Sequence, residues 1–271
     1  MGAIEPRLAA AEASPQPEGH ALRGHVAAIR AYAASHGGDA ERVAALAREA
    51  LQRLPEDDLT VRSVVLYTLG VACLLAGDLA AACDPLAEAG RIGQVAGNIH
   101  MAVPAIHAVG MAQVALGRLH LAAETLETAL QLASGRDGKP LPLAAGVLSA
   151  LSELHYERGD LEAALREAEA SAALGAQWGN TEAWVRAPLA RARALQALGD
   201  LDGALCALQE ADEIMRRHSP SLWATARVES GRVRLWRAPG REALAATARW
   251  VEERTGALAG AADLSYVREK E

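Results

Sequence analysis

One short element recurs along this chain at an almost constant interval, and that recurrence limits the fold more than any other feature. In the stretch from Val64 to Asn98, Leu66, Leu69, Gly70, Cys73 and Leu74 stand at helical spacing, Gly77-Asp78 interrupts, and Ala82, Leu86 and Ala89 then share one face of a second helix. Glycine accepts the backbone angles of a tight turn, and aspartate caps the helix that follows. The unit reads as two antiparallel helices joined by that turn. A lone hairpin of this size cannot bury its apolar face, so it needs neighbours of the same kind.

The neighbours are present. The turn residue recurs at Gly38, Gly77, Gly117, Gly159 and Gly199, and more weakly at Ala238, in steps of 39, 40, 42, 40 and 39 residues. Seven residues before each turn stands a small side chain: Ala31, Gly70, Gly110, Ser152, Ala192 and Gly231. Five residues after it come Val43, Ala82, Ala122, Ala164, Ala204 and Ala243. Twelve after it come Ala50, Ala89, Ala129, Ser171 and Ala211, with Trp250 as the one misfit. Small residues in register over six units let helices approach closely within and between hairpins. The pattern specifies an all-α helical repeat solenoid.

The small-residue, turn-glycine and paired-alanine columns resemble tetratricopeptide repeats, with a period of about 40 residues instead of the usual 34 or so. The wording resembles a narrower group. LPEDDLTVRSVVLYTLGVACLLAGDLAAA (Leu54 to Ala82), AGNIH (Ala96 to His100), GRLHLAAETLETALQLA (Gly117 to Ala133) and LGDLDGALCALQEAD (Leu198 to Asp212) are similar to the sensor domain of the maltose-activator-like (MalT-type) regulators, large ATP-dependent transcription factors of the LuxR family. The resemblance runs from about Ala21 to Glu269. It implies a right-handed superhelical solenoid of six tetratricopeptide-like hairpins. It also implies a non-catalytic domain that binds a small effector or a regulatory protein in its concave groove. Such regulators carry an ATP-binding switch domain before the array and a helix-turn-helix reader after it. This sequence has no G-x-x-x-x-G-K-[ST] loop; GRDGKP, Gly135 to Pro140, has the wrong spacing and no following Ser or Thr. ATPase activity and promoter binding are therefore not carried over. The chain is an excised sensor domain or a freestanding scaffold that binds a peptide or protein.

Composition agrees. Hydrophobic residues make up 51%, much of it alanine, aromatics are 3% and Phe is absent, which suits close-packed helices with thin cores. A net charge of −7 argues against direct nucleic-acid binding by this segment. The charge is uneven: 14 basic and 13 acidic residues from Asn180 onward, against 13 and 21 before it. Cys73, Cys83 and Cys206 are too few and too scattered for a disulfide framework and fit a reducing compartment. With no signal-peptide pattern and no apolar run of membrane-spanning length, the expectation is a cytoplasmic protein without a membrane partner.

In order, residues 1–20 read as an N-terminal helix (Ile4 to Ala13) and the linker SPQPEG, 21–256 as the superhelical domain, and 257–271 as an incomplete further repeat helix. Pro55-Glu56-Asp57-Asp58 ends the first hairpin and caps the next. Pro104 is placed in the first turn of its helix, where its missing N–H costs little, and Pro188 marks a kink or a late start. Asn98 and Asn180 fit left-handed helix stops. The break SGRDGKPLP, Ser134 to Pro142, accounts for the 42-residue step. The sixth hairpin starts at Ser219-Pro220 and ends near Thr255.

Catalytic and metal motifs are lacking. No H-E-x-x-H occurs, His20 and His25, like His100 and His107, miss the i, i+4 spacing of a helical zinc pair, and there is no G-x-S-x-G elbow. No cofactor is expected. The candidate site is instead a groove. In tetratricopeptide-like superhelices the first helix of each hairpin lines the concave face. Residues ten, six and three before the turn share one side. Those positions hold Tyr32 and Ser35; Tyr67, Val71 and Leu74; His107, Met111 and Val114; Ser149, Glu153 and Tyr156; Leu189, Arg193 and Gln196; Val228, Arg232 and Leu235. The strip begins aromatic and apolar, gains a carboxylate and ends in arginines, a mixture that suits an elongated ligand. Glu153 is the expected partner of Arg193, leaving Arg232 for an acidic ligand group. Trp184 and Trp223 read as packing between hairpins, and the exposed ends of the solenoid as surfaces for oligomerisation.

Overall fold

The computed structural model describes residues 5–12, 19–35, 39–178, 181–217 and 228–229. Among them the chain is all α, without strands. A short helix α1 (Glu5–Glu12) precedes five hairpins: α2 (Gly19–Ser35) with α3 (Ala40–Arg53), α4 (Leu59–Leu75) with α5 (Leu79–Val95), α6 (Ile99–Ala115) with α7 (Leu119–Leu132), α8 (Ala145–Glu157) with α9 (Leu161–Trp178), and α10 (Thr181–Ala197) with α11 (Leu201–Arg217). Each helix packs on the next along the chain, so hairpin stacks on hairpin in a tetratricopeptide-like solenoid. The expected sixth hairpin, the helix expected in 257–271 and most of the linker lie outside the described residues.

Every described hairpin turn is built alike. Gly77, Gly117, Gly159 and Gly199 have φ between 73° and 85°, a region that only glycine enters without strain. At Gly77 the next amide, Asp78 N, reaches back to the Cys73 carbonyl, while Gly77 N bonds Leu74; the other three turns repeat both bonds. The residue that completes this stop also starts the following helix. Asp78, Asp160 and Asp200 each accept an amide of the new first turn, at 2.9–3.0 Å. Asp58 does the same for α4, as its sequence position predicts. One two-residue signal thus ends one helix and caps the next.

The hairpin interior is held by small residues on the first helix that admit the second helix closely. A Cβ placed on Gly70 would lie 2.4 Å from Leu86 Cγ, and one on Gly110 would lie 2.5 Å from Leu126 Cδ2. Where the first helix carries glycine, the facing position of the second carries a fully buried leucine. In the same register Ala31 stands opposite Ala47, Ser152 opposite Ala168 and Ala192 opposite Leu208, all of them buried. Ala82, Ala122, Ala164 and Ala204 are fully buried at the helix contacts expected of them. Ser152 is also hydrogen-bonded across the hairpin, its hydroxyl donating to the Ala164 carbonyl at 2.7 Å.

Between hairpins, Gly90 seats Ile106, and Gly93 lies against the backbone of Ala102. Gly175 does the same for Trp184, so that tryptophan packs between hairpins.

Local details depart from the sequence reading. α6 begins at Ile99, so Pro104 is its sixth residue and deprives the His100 carbonyl of an intrahelical partner. α10 runs through Pro188 from Thr181, with no late start. The left-handed residue before α6 is Gly97, at φ 69°, while Asn98 at φ −89° occupies the N-cap place without a side-chain bond. Glycine takes that place because it has no Cβ to clash there. Asn180 lies outside the described residues. The 134–142 break folds into a tight loop closed by a bridge between Ser134 and Pro140, and a short 3-10 turn (Pro142–Ala144) leads into α8. α8 is consequently the shortest helix of the five hairpins.

All three cysteines are free: Cys206 is exposed, Cys73 and Cys83 half-buried. Burial raises the Cys83 thiol above its ordinary pKa by disfavouring the thiolate, with a smaller opposing effect from Arg118.

Two outcomes check this packing. Gly70→Ala and Ala122→Leu should each overpack a hairpin and lower stability by about 1–3 kcal/mol, read as a fall in melting temperature; unchanged melting for both refutes the register. Near neutral pH, Cys206 should react with a thiol reagent well ahead of Cys83, whose raised pKa leaves it less thiolate; equal rates would contradict the burial of Cys83.

Candidate ligand groove

The direction of curvature follows from which helices touch. Each first helix packs on the first helix of the next hairpin (α2 on α4, α4 on α6, α6 on α8, α8 on α10), whereas the second helices make no comparable contacts with one another. First helices crowded together and second helices splayed apart put the first helices on the inside of the bend. The residues ten, six and three before the described turns are carried on these first helices, and Tyr67, Leu74, Met111, Val114 and Leu189 among them also pack against the hydrophobic clusters between helices.

Their burial is consistent with that position. Tyr67, Val71, Leu74, His107, Met111, Val114, Glu153, Tyr156, Leu189, Arg193 and Gln196 are all half-buried, while Ala31, Gly70, Gly110, Ser152 and Ala192, seven before their turns, are buried. Tyr32, on α2, is 53% exposed. Ser149 departs from the expectation: it is 1% exposed and its Oγ has no hydrogen-bond partner. The extra residues of the 134–142 loop shorten α8, so the strip is least regular at this hairpin. Val228 is likewise buried, and Arg232 and Leu235 lie outside the described residues.

Two contacts cross between neighbouring hairpins on the inner side. The His107 ring lies over Gly146 of α8, with three ring atoms 3.8–3.9 Å from where a Cβ would stand. The other contact centres on Arg193 of α10. Its Nη2 donates to Glu157 Oε1 at 2.9 Å, and its guanidinium carbon lies 4.2 Å from the centre of the Tyr156 ring. The expected pairing of Arg193 with Glu153 is thus corrected: Glu157, one helical turn further along α8, is the partner. Glu157 and Tyr156 are adjacent in sequence, so one carboxylate and one ring hold the same guanidinium from two sides.

Neither Gly146 nor Glu157 stands out in the sequence. Gly146 occupies an ordinary mid-helix place, and Glu157 falls outside the ten-six-three offsets. A search for charge pairs one period apart less one helical turn would have found Arg193 with Glu157, 36 residues before it.

Along the strip the chemistry changes. Hairpins two and three contribute Tyr67, Val71, Leu74, His107, Met111 and Val114, with no carboxylate or guanidinium; hairpins four and five contribute Glu153, Tyr156, Arg193 and Gln196. Among the described residues no cluster of His, Cys, Asp and Glu could hold a metal ion, and no helix is long and apolar enough to cross a membrane.

Solved structures with this architecture span several biological settings. BtubC (BKLC) from P. vanneervenii is 20% identical with a TM-score of 0.58, the match covering 80% of this chain and 94% of that one. A Rap protein complexed with Competence and Sporulation Factor is 13% identical with a TM-score of 0.68, covering 94% and 70%. The Rap conjugation gene regulator of the plasmid pLS20, in complex with a Phr peptide, is 16% identical with a TM-score of 0.61, covering 87% and 62%. At these identities the likeness is one of fold. No curated protein matches the chain. The family model of the MalT-like TPR region matches residues 24–270, and the chain belongs to that family.

Proposed function

We propose that this chain is the non-catalytic sensor and interaction domain of a MalT-like regulator of the LuxR family, acting in the cytoplasm and binding a small effector or a regulatory peptide or protein along its inner groove. The observation that carries the reading is the run of half-buried residues from Tyr67 to Gln196 on the first helices, interrupted at the buried Ser149 and passing from apolar to polar. A surface of this kind is what solenoids use for extended ligands. Residues 21–256 form the binding array in this proposal, with 1–20 and 257–271 as its flanks. Arg232, one period after Arg193 in the sequence and outside the described residues, is a further contact in this proposal.

The second reading, a freestanding scaffold for a peptide or protein, is favoured by one observation: a fold relative holds a Phr peptide. The coding frame separates the two. An ATP-binding loop upstream and a helix-turn-helix downstream support the sensor; stop codons at both ends support the scaffold.

Calorimetric screening of small effectors and peptides against the wild type, Tyr67→Ala and Arg232→Ala tests the groove. A groove ligand should lose about tenfold or more in affinity with at least one variant, the usual weight of a central aromatic or arginine contact. A specific ligand indifferent to both changes overturns the assignment.

A further inference from the structure

The polar half of the strip is built differently from a simple cationic site. Arg193 uses only Nη2 in hydrogen bonding to the described protein, toward Glu157, and its side chain is 26% exposed. Its Nε–H and Nη1 donors make no hydrogen bond to the described residues. The guanidinium lies over the Tyr156 ring and is tethered by Glu157, so little rotamer freedom is left for a ligand to quench. Remaining donors on a partly exposed side chain held in this way call for an oxygen acceptor.

The charge of that acceptor follows from the neighbours. α8 brings Glu153 and Glu157 to this stretch, and α10 brings Arg186 and Arg193. Two carboxylates balance two guanidinium groups, and Glu157 already neutralises Arg193 directly. A carboxylate or phosphate entering here would compete with Glu157 and meet no net positive field, whereas an uncharged carbonyl gains a charge-assisted hydrogen bond without displacing the ion pair. The adjoining rungs, Tyr67, Val71, Met111 and Val114, carry no charge and suit apolar side chains.

Resting on the groove reading above, we infer that Arg193, stacked on Tyr156 and tethered by Glu157, is a subsite for the main-chain carbonyls of an extended peptide that is uncharged at this point, with its apolar side chains on the Tyr67–Met111 side. The inference concerns Arg193 alone and leaves the acidic ligand group expected at Arg232 as it stands.

The test uses two probes on the full chain: a short acetylated and amidated peptide of alternating leucine and alanine, and the same peptide with a free C-terminal carboxylate. Methyl signals of methionine report occupancy of the groove at Met111, and the Arg193 Nε–H signal reports the subsite. The capped peptide should shift both signals and bind at least as well as the free acid. Its affinity should hardly vary with salt and should fall about tenfold in Arg193→Ala. Arg193→Lys, which keeps the charge but loses the planar fork, should bind the capped peptide as weakly as the alanine variant while keeping the wild-type melting curve. If Met111 does not respond to either peptide, the groove reading itself fails for peptides. If Met111 responds but Arg193 Nε–H does not, the subsite is refuted and the groove stands. Tighter, salt-sensitive binding of the free acid, or undiminished binding of the capped peptide by the lysine variant, also refutes the neutral-acceptor assignment.

Discussion

The close approach of two helices within each hairpin is the constraint on which the rest of the molecule depends. Leu86 and Leu126 are completely buried because Gly70 and Gly110 opposite them have no side chain. Burial of one such leucine is worth about 1.5–3 kcal/mol, but only while the facing position stays empty. The other hairpins place Ala31 opposite Ala47, Ser152 opposite Ala168 and Ala192 opposite Leu208, so the first helix always offers a small side chain while the second varies between alanine and leucine. A chain with 3% aromatic residues and no Phe cannot fill wide gaps between helices. Its stability comes instead from narrow, repeated contacts of small residues, and each hairpin relies on the next to cover its other face.

The turns convert this local packing into an array. A left-handed glycine followed by a residue that closes the old helix and opens the new one leaves no slack between the two helices. Hairpins of near-constant length stack with the same residues in the same places, which is why positions ten, six and three before the turn form one strip. The exception proves informative in physical terms. The loop at 134–142 lengthens one step and shortens α8; ten residues before the turn, Ala28, Ser149 and Val228 are buried while Tyr67, His107 and Leu189 are half-buried.

At that junction the electrostatics are local. Arg193 is satisfied by Glu157 and Tyr156 from the neighbouring hairpin, so its charge is spent largely within the protein while part of its hydrogen-bonding capacity is not. The chain-wide charge of −7 has little bearing on this spot, because the pair is partly screened from solvent and its partners are within contact distance. The inner strip is accordingly a surface of shape and hydrogen bonding more than one of net charge.

By itself the sequence determined the hairpin, its period, the turn chemistry and the buried columns, because these depend on residues within one repeat and reappear in the next. Gly77, Asp78, Ala82 and Leu86 state their roles through spacing alone. The membership of the MalT-like TPR region was legible in the wording of Leu54 to Ala82 and Leu198 to Asp212 for the same reason. Tertiary structure alone decided which carboxylate meets Arg193, that Ser149 is shut away from solvent, and that a histidine ring lies over Gly146. Those outcomes depend on how two successive hairpins are offset and rotated. A shift of one helical turn between helices exchanges Glu153 for Glu157, and no periodicity within a repeat records that shift.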